Sequence, residues 1–426
     1  MKNLLAIIII GAIISPYINC IETMSARTDY TQLSTLINFN LGSPAVPLKL
    51  QAYFGTLSDN SNLGQFIIDL SIRDTNYQYY EQLYNIGVKK FYSIDKSSTV
   101  QIEKPFERKE QSRYGGQISG VYAKDVLSYN KIKSNYQFAC VQFAYDLIQI
   151  YYNGVIVFNK ITDNIFDQMY QENAISTSDY ILSGSKYDLP ISDTTFIQTN
   201  SIDITFDLDI NSEYYNNPSN PLVSNSDTFQ IMSYGIYLDG EDFTDKIKQK
   251  RITLDQLTDQ SGKINDTTYI PKDLLEMVMQ NYNIPDDFTY RSCNNCQCYE
   301  AESLPEISLF TEEYKITIKP DQYIVKYENS CFVNLDKSDN FVISSPLLFN
   351  SDIKILYQKQ SNSIKIINAK LINHMNLKQI IIIFPILNLL ILITLLYIPI
   401  KWALNFQSYK LEQISTLQCQ FKMKQN

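Results

Sequence analysis

Short apolar runs, separated by polar turns, dominate the hydrophobic pattern of this chain. Phe66, Ile68, Leu70 and Ile72 alternate with polar residues, which is the period of a strand with one buried face. Residues 33–41 form a similar run, and we expect them to be the first strand after a short polar lead. Long amphipathic helical patterns are few. The pattern therefore predicts an all-β fold.

Two longer apolar segments lie near the ends of the chain. An uncharged run follows Lys2 and ends before a polar break, which predicts a secretory signal peptide over residues 1–20. Residues 380–400 carry no charge and are long enough to span a bilayer as one transmembrane helix. The lysine-rich tail, 401–426, is predicted to be cytoplasmic. We therefore expect a single-pass type I protein of the secretory pathway, at the cell surface or in an endosomal or vacuolar membrane.

Size and charge narrow the possible functions. About 350 residues lie between the two apolar segments, which suits two lobes better than one core. The net charge of −9, with no basic stripe, argues against a nucleic-acid partner. His374 is the only histidine and lies next to the membrane segment, so Ser-His-Asp, Cys-His and His-zinc sites are excluded from the lobes. Paired carboxylates remain as the candidate chemistry, and we predict no cofactor and no metal ion.

Several ordered motifs occur between the apolar segments. The first is a Gly42-Ser43-Pro44 turn followed by an apolar strand that ends in Tyr53-Phe54-Gly55-Thr56. The others are Tyr114-Gly115-Gly116 with Asp125 five residues after Gly120, Tyr234-Gly235-Ile236-Tyr237-Leu238-Asp239-Gly240-Glu241, and Cys298 followed by Leu304-Pro305-Glu306-Ile307 and Cys331. In order and spacing these motifs resemble the pepsin-like aspartic proteases.

The resemblance implies a bilobal, pepsin-like double β-barrel ectodomain before the membrane helix. Its N-terminal lobe would cover residues 25–190 and its C-terminal lobe residues 191–372. Tyr114, Gly115 and Gly116 would form the flap over the cleft between the lobes. A peptide or protein ligand would bind in that cleft.

The residues of the expected catalytic pair are not retained as a pair. Aspartic-protease chemistry needs two adjacent carboxyl groups that share a proton, and the resemblance implies one such group at Tyr53 and one in the second lobe. Tyr53 is no carboxylate, and Asp59 is the nearby alternative. In the second lobe, two alignments remain open, one with Asp255 and one with Gln260 at the acid position. We therefore expect an inactive protease-like module for binding or surface structure; the competing hypothesis is an active endopeptidase that uses Asp59 and Asp255.

The cysteines and one sequon complete the candidate sites. Four cysteines lie in the second lobe: Cys293, Cys296, Cys298 and Cys331. Disulfides are favoured over a four-thiolate zinc site in an exported domain. The resemblance implies a Cys298–Cys331 bridge, Cys293 and Cys296 could close a small loop, and the pairing stays open. Cys140 is expected to be a buried free thiol. Asn265 is a potential N-glycosylation site.

Overall fold

The computed structural model describes most of the region between the two apolar segments. The described residues are 21–29, 34–55, 66–74, 91–110, 116–145, 153–160, 163–190, 196–209, 211–224, 226, 228–258, 264, 267–281, 304–327, 330–342, 348, 353–368 and 370–371. This part of the chain is mostly β, so the predicted all-β class is confirmed.

The strands before residue 210 are long. They are β1 (Glu22–Asp29), β2 (Ser34–Leu41), β3 (Val46–Phe54), β4 (Phe66–Asp74), β5 (Gln101–Glu110), β6 (Gly116–Tyr129), β7 (Ile132–Tyr145), β8 (Gly154–Phe158), β9 (Tyr180–Pro190) and β10 (Phe196–Phe206).

The strands after residue 210 are shorter. They are β11 (Asn220–Pro221), β12 (Gln230–Met232), β13 (Gly235–Leu238), β14 (Glu241–Asp242), β15 (Arg251–Thr253), β16 (Thr268–Pro271), β17 (Ile307–Phe310), β18 (Tyr314–Ile318), β19 (Ile324–Tyr327), β20 (Ser330–Val333), β21 (Leu335–Ser338), β22 (Phe341–Val342), β23 (Lys354–Gln358), β24 (Ser363–Ile367) and β25 (Lys370–Leu371). The described α-helices are α1 (Ile165–Gln171), α2 (Lys272–Asn281) and α3 (Pro320–Tyr323).

Six strands close into a barrel in the first half of the chain. Their order is β2-β3-β8-β4-β7-β6, and β6 pairs back to β2 through Leu127 and Leu41. The predicted turn at residues 42–44 joins β2 to β3, and the inward side chains Leu48, Leu50 and Ala52 of β3 are buried. Because β6 pairs back to β2, neither strand is a free edge of the barrel, and the inward apolar side chains are buried.

A second group of strands extends the same sheet away from the barrel. From β2 the order continues β1-β10-β9-β23-β24-β11, so the sheet joins residues from both halves of the chain. The position of β1 corrects the sequence prediction, because the first described strand is Glu22–Asp29 rather than 33–41. Met24 and Ala26 of β1 are buried at 2% and 0% exposure. The segment predicted to be a short polar lead therefore contains a strand, and its apolar side chains, Met24 and Ala26, are buried in the core.

The same five-strand arrangement occurs twice in the chain. In the first half, the order β2-β3-β8-β4-β7 has antiparallel, parallel, antiparallel and parallel pairings in turn. In the second half, the order β12-β15-β22-β16-β21 has the same four senses in the same sequence. The two halves therefore repeat one topology over five strands, and every barrel strand except β6 has a counterpart in the second sheet.

The described helices are short. Among the described residues, none forms a helix with the length and apolar character needed to cross a membrane. The predicted signal peptide and the segment 380–400 both lie outside the described residues.

Candidate functional site

The two repeated units meet at the end of β3. The backbone N–H of Phe54 donates a hydrogen bond of 2.9 Å to the Oγ1 atom of Thr258, which follows β15. The N–H of Thr258 lies 3.4 Å from the carbonyl oxygen of Phe54, and its hydroxyl lies 3.3 Å from the same oxygen. We call this group of hydrogen bonds the crossing contact. It joins residues 204 positions apart in the sequence and both of its partners are buried.

Gly55 allows the two backbones to approach at the crossing contact. Its φ angle is +132°, a value that side-chain-bearing residues rarely adopt. A Cβ atom at this position would lie 3.0 Å from the carbonyl oxygen of Asp255 and 3.3 Å from the Cα atom of Gln256. The glycine therefore serves both the local backbone conformation and the close packing of the second-half segment.

One alignment of the strand registers makes Tyr53 and Asp255 equivalent positions, whereas an alignment through Leu50, Gly154 and Ile67 makes Gln256 the counterpart of Tyr53. In the first half, Gln51 of β3 pairs with Val155, which pairs with Phe66. In the second half, Thr253 of β15 pairs with Val342, which pairs with Tyr269. Gln51 thus corresponds to Thr253, and the residues two positions later are Tyr53 and Asp255.

Tyr53 fills its position as a core residue. Its side chain is only 4% exposed, and its Cα atom lies in register with Val157 of β8. The next residue, Phe54, stacks on Phe158 with ring centroids 5.0 Å apart. The first-half position therefore holds a buried aromatic side chain.

Asp255 is a buried carboxylate with little compensation. It is 2% exposed, and neither carboxyl oxygen has a hydrogen-bond partner in the described part of the chain. Burial raises the pKa of Asp255 to about 7. Two nearby backbone N–H groups, of Phe229 and of Asp255 itself, and the charge of Lys160 oppose this rise. Neither N–H group reaches hydrogen-bond geometry with the carboxyl. Because ionisation in an apolar environment is costly, the acid is mostly neutral below neutral pH.

Aromatic residues from three elements surround this acid. Tyr180 and Tyr357 stack with ring centroids 5.2 Å apart, and Phe229 meets Tyr357 edge-on at 4.6 Å. Tyr357 donates a hydrogen bond of 2.8 Å to the carbonyl oxygen of Leu254, beside Asp255. Burial, followed by the charges of nearby acids that include Asp255, holds the pKa of both tyrosines well above the usual range.

Sequence reasoning missed these neighbours. Lys160, Tyr180 and Tyr357 lie on different elements, and no motif in the sequence connects them with Asp255. Lys160 itself donates a hydrogen bond of 3.0 Å to the carbonyl oxygen of Val223. The local signal was only a short continuous apolar run at each tyrosine, residues 180–182 and 355–357, which predicts burial but not a shared partner.

A second buried polar cluster fastens the segment before β5 to the barrel. Asp125 of β6 accepts hydrogen bonds from the hydroxyl of Tyr92 at 2.7 Å and of Thr99 at 2.5 Å. Asp69 of β4 accepts from the N–H of Ile94 at 2.8 Å. Since each carboxylate is satisfied, we interpret this cluster as structural support for the β5–β6 hairpin.

Most of the other predicted site residues lie outside the described part of the chain. They are Asp59, Tyr114, Gly115, Gln260, Asn265, Cys293, Cys296 and Cys298. Gly116 opens β6, and Cys331 lies in β20 in register with Lys326 of β19. Cys140 is buried and free, as predicted. The flap, the disulfides and the glycosylation site therefore stay predictions.

Comparison with known proteins adds no relative. The sequence matches no protein-family model, and it matches no curated protein.

Proposed function

We propose that this protein is a catalytically inactive, pepsin-like module anchored in a membrane, which binds an extended peptide or protein segment between two lobes. The repeated five-strand arrangement supports two lobes of common topology. The crossing contact supports a junction of those lobes at the ends of β3 and β15. The membrane anchor rests on the uncharged segment 380–400.

The observation that carries the proposal is the tyrosine at position 53, in the alignment of the two halves that makes Tyr53 the counterpart of Asp255. A carboxylate pair works because one acid is ionised while the other keeps its proton. A tyrosine, with an ordinary pKa near 10, cannot share that proton at acidic or neutral pH. Loss of one general acid or base costs on the order of 10²-fold or more in rate. The remaining carboxyl of Asp255 is buried and supplies one acid where two are needed.

The inactivity is tested with the full-length protein and an acid-denatured globular substrate between pH 3 and pH 7. We expect no cleavage that pepstatin inhibits. The matched control is Asp242→Asn, which removes an exposed carboxyl of β14 that takes no part in the crossing contact. Cleavage that is lost in Asp255→Asn and kept in Asp242→Asn would establish an active endopeptidase and refute the proposal.

The binding role is tested with an immobilised library of unstructured peptides. We expect the folded protein to retain a subset of the peptides, and to lose them when the same sequences are built from D-amino acids, because strand-like pairing depends on backbone chirality. Equal retention of L- and D-peptides, or retention of none, would contradict a cleft that binds extended peptides.

A further inference from the structure

A buried carboxylic acid without a described hydrogen-bond partner lies beside the crossing contact. Asp255 lies three residues before Thr258, and its carbonyl oxygen is the atom that comes closest to a Cβ placed on Gly55. Both of its carboxyl oxygens are buried without a hydrogen-bond partner in the described residues. The segment from Asp255 to Thr258, which contacts the end of β3, therefore carries a carboxyl group that contact with water would stabilise.

The groups near Asp255 stabilise its ionised form only weakly. Lys160, after β8, is the cation whose charge acts on it, and its ammonium group already donates to the carbonyl oxygen of Val223. The hydroxyl of Tyr357, on β23, is committed to the carbonyl oxygen of Leu254. Tyr180, on β9, is a neutral phenol in the same apolar layer. A carboxylate formed here stays poorly solvated unless the surrounding contact opens.

We propose that Asp255 is a proton-dependent latch: protonated, it allows the crossing contact to close, and ionised, it favours an open contact in which water reaches the carboxylate. This inference does not require that the protein binds a peptide. It assigns Asp255 a conformational role that the loss of a carboxylate at Tyr53 leaves intact.

The sign of the effect follows from the two protonation equilibria. In the closed state the pKa is about 7, whereas a solvated aspartate in the open state has an ordinary pKa of 3.8. Between these two values the closed state keeps a proton that the open state releases. Opening is therefore favoured about tenfold for each pH unit between about pH 4 and pH 7, and no further outside this window.

The experiment measures amide hydrogen exchange of the full-length protein at pH 5 and pH 7, corrected for intrinsic exchange. The reporter is the amide of Phe54, and the reference is the β6–β7 hairpin of the barrel. We expect Phe54 to lose at least tenfold of its protection at pH 7 in the wild type and to lose none in Asp255→Asn. Asp179→Asn, at another largely buried acid with a raised pKa, is the matched control and behaves like the wild type.

Three results would overturn the latch. They are protection of Phe54 that does not change with pH in the wild type, an unchanged pH dependence in Asp255→Asn, and an equal loss of protection throughout the β6–β7 hairpin. If Asp255→Asn does not fold, the same exchange measurement on Lys160→Met tests the latch. Loss of the lysine charge moves the upper end of the pH window to higher pH, and an unchanged window refutes the role of Asp255.

Discussion

Substitution of Thr258 by valine tests the crossing contact directly. Valine has nearly the same shape as threonine, so Thr258→Val removes the hydroxyl without opening a cavity. The N–H of Phe54 then loses its acceptor at 2.9 Å in a buried environment. A buried donor left without a partner costs about 1–3 kcal/mol. We expect the free energy of unfolding to fall by about 2 kcal/mol, near the middle of that range.

The control for this substitution is Thr258→Ser. Serine keeps the hydroxyl and loses one methyl group, which costs about 1 kcal/mol through reduced apolar burial. The two variants are therefore distinguished by the hydrogen-exchange protection of the Phe54 amide, and not only by their free energies of unfolding. Its exchange protection falls in the valine variant and is kept in the serine variant.

Urea unfolding of the full-length protein at pH 5 gives the stability difference, because Asp255 ionisation contributes equally to the wild type and the Thr258 variants and cancels in the comparison. Amide exchange over residues 50–55 gives the local effect. A valine variant within about 0.5 kcal/mol of the wild type would show that the hydrogen bond is not a net stabiliser, given the usual range for such bonds. Equal loss of Phe54 protection in both variants would show that the hydroxyl is not its acceptor.

Three further predictions concern buried polar groups. In the wild type, Asp255 lowers the unfolding free energy between pH 4 and pH 7 by up to about 4 kcal/mol, from a pKa difference of about three units at about 1.4 kcal/mol each. Asp255→Asn loses this part of the pH dependence and keeps the part due to other buried acids such as Asp167 and Asp179; parallel urea-unfolding profiles would contradict it. Tyr92→Phe removes one hydrogen bond to Asp125 and lowers stability by about 1 kcal/mol in urea unfolding, and no change would mean that water replaces the hydroxyl. Asn164→Ala removes the side chain that caps α1 and costs about 1–2 kcal/mol, with Asn38→Ala, at an exposed position of β2, as the control.

Local patterns in the sequence predicted the local structure. The alternating apolar residues of β4, the turn at 42–44 and the short helix α1 follow from side chains that are neighbours in the sequence. Asn164 illustrates the reason, because its side chain accepts hydrogen bonds from the N–H groups of Phe166 and Asp167 just after it. Signals of this kind need no knowledge of the rest of the chain.

Pairings between distant residues could not be predicted in the same way. β1 pairs with β10, about 180 residues later, so the strand is visible only once its partner is known. Likewise, the sequence left Asp255 and Gln260 as alternatives, because the spacing from Asp239 favours Asp255 and the spacing back from residues 269–271 favours Gln260. The registers of β15 with β22 and of β22 with β16 allow Asp255 as the counterpart of Tyr53, and Gln260 lies outside the described residues, so the choice between them stays a prediction. Register depends on which strands meet, and that information is spread over the whole fold.

The two equivalent positions make opposite contributions to stability, and that asymmetry bears on function. Burial of the Tyr53 ring stabilises the fold by about 2–3 kcal/mol, as for other large apolar side chains. Burial of the Asp255 carboxyl without a hydrogen-bond partner destabilises the folded state at neutral pH. An asparagine or leucine at Asp255 would avoid the ionisation cost, so packing alone gives no reason for an acid there. Strongly perturbed acids are concentrated where a protein uses their protonation, and control of the crossing contact is the use that we propose for Asp255.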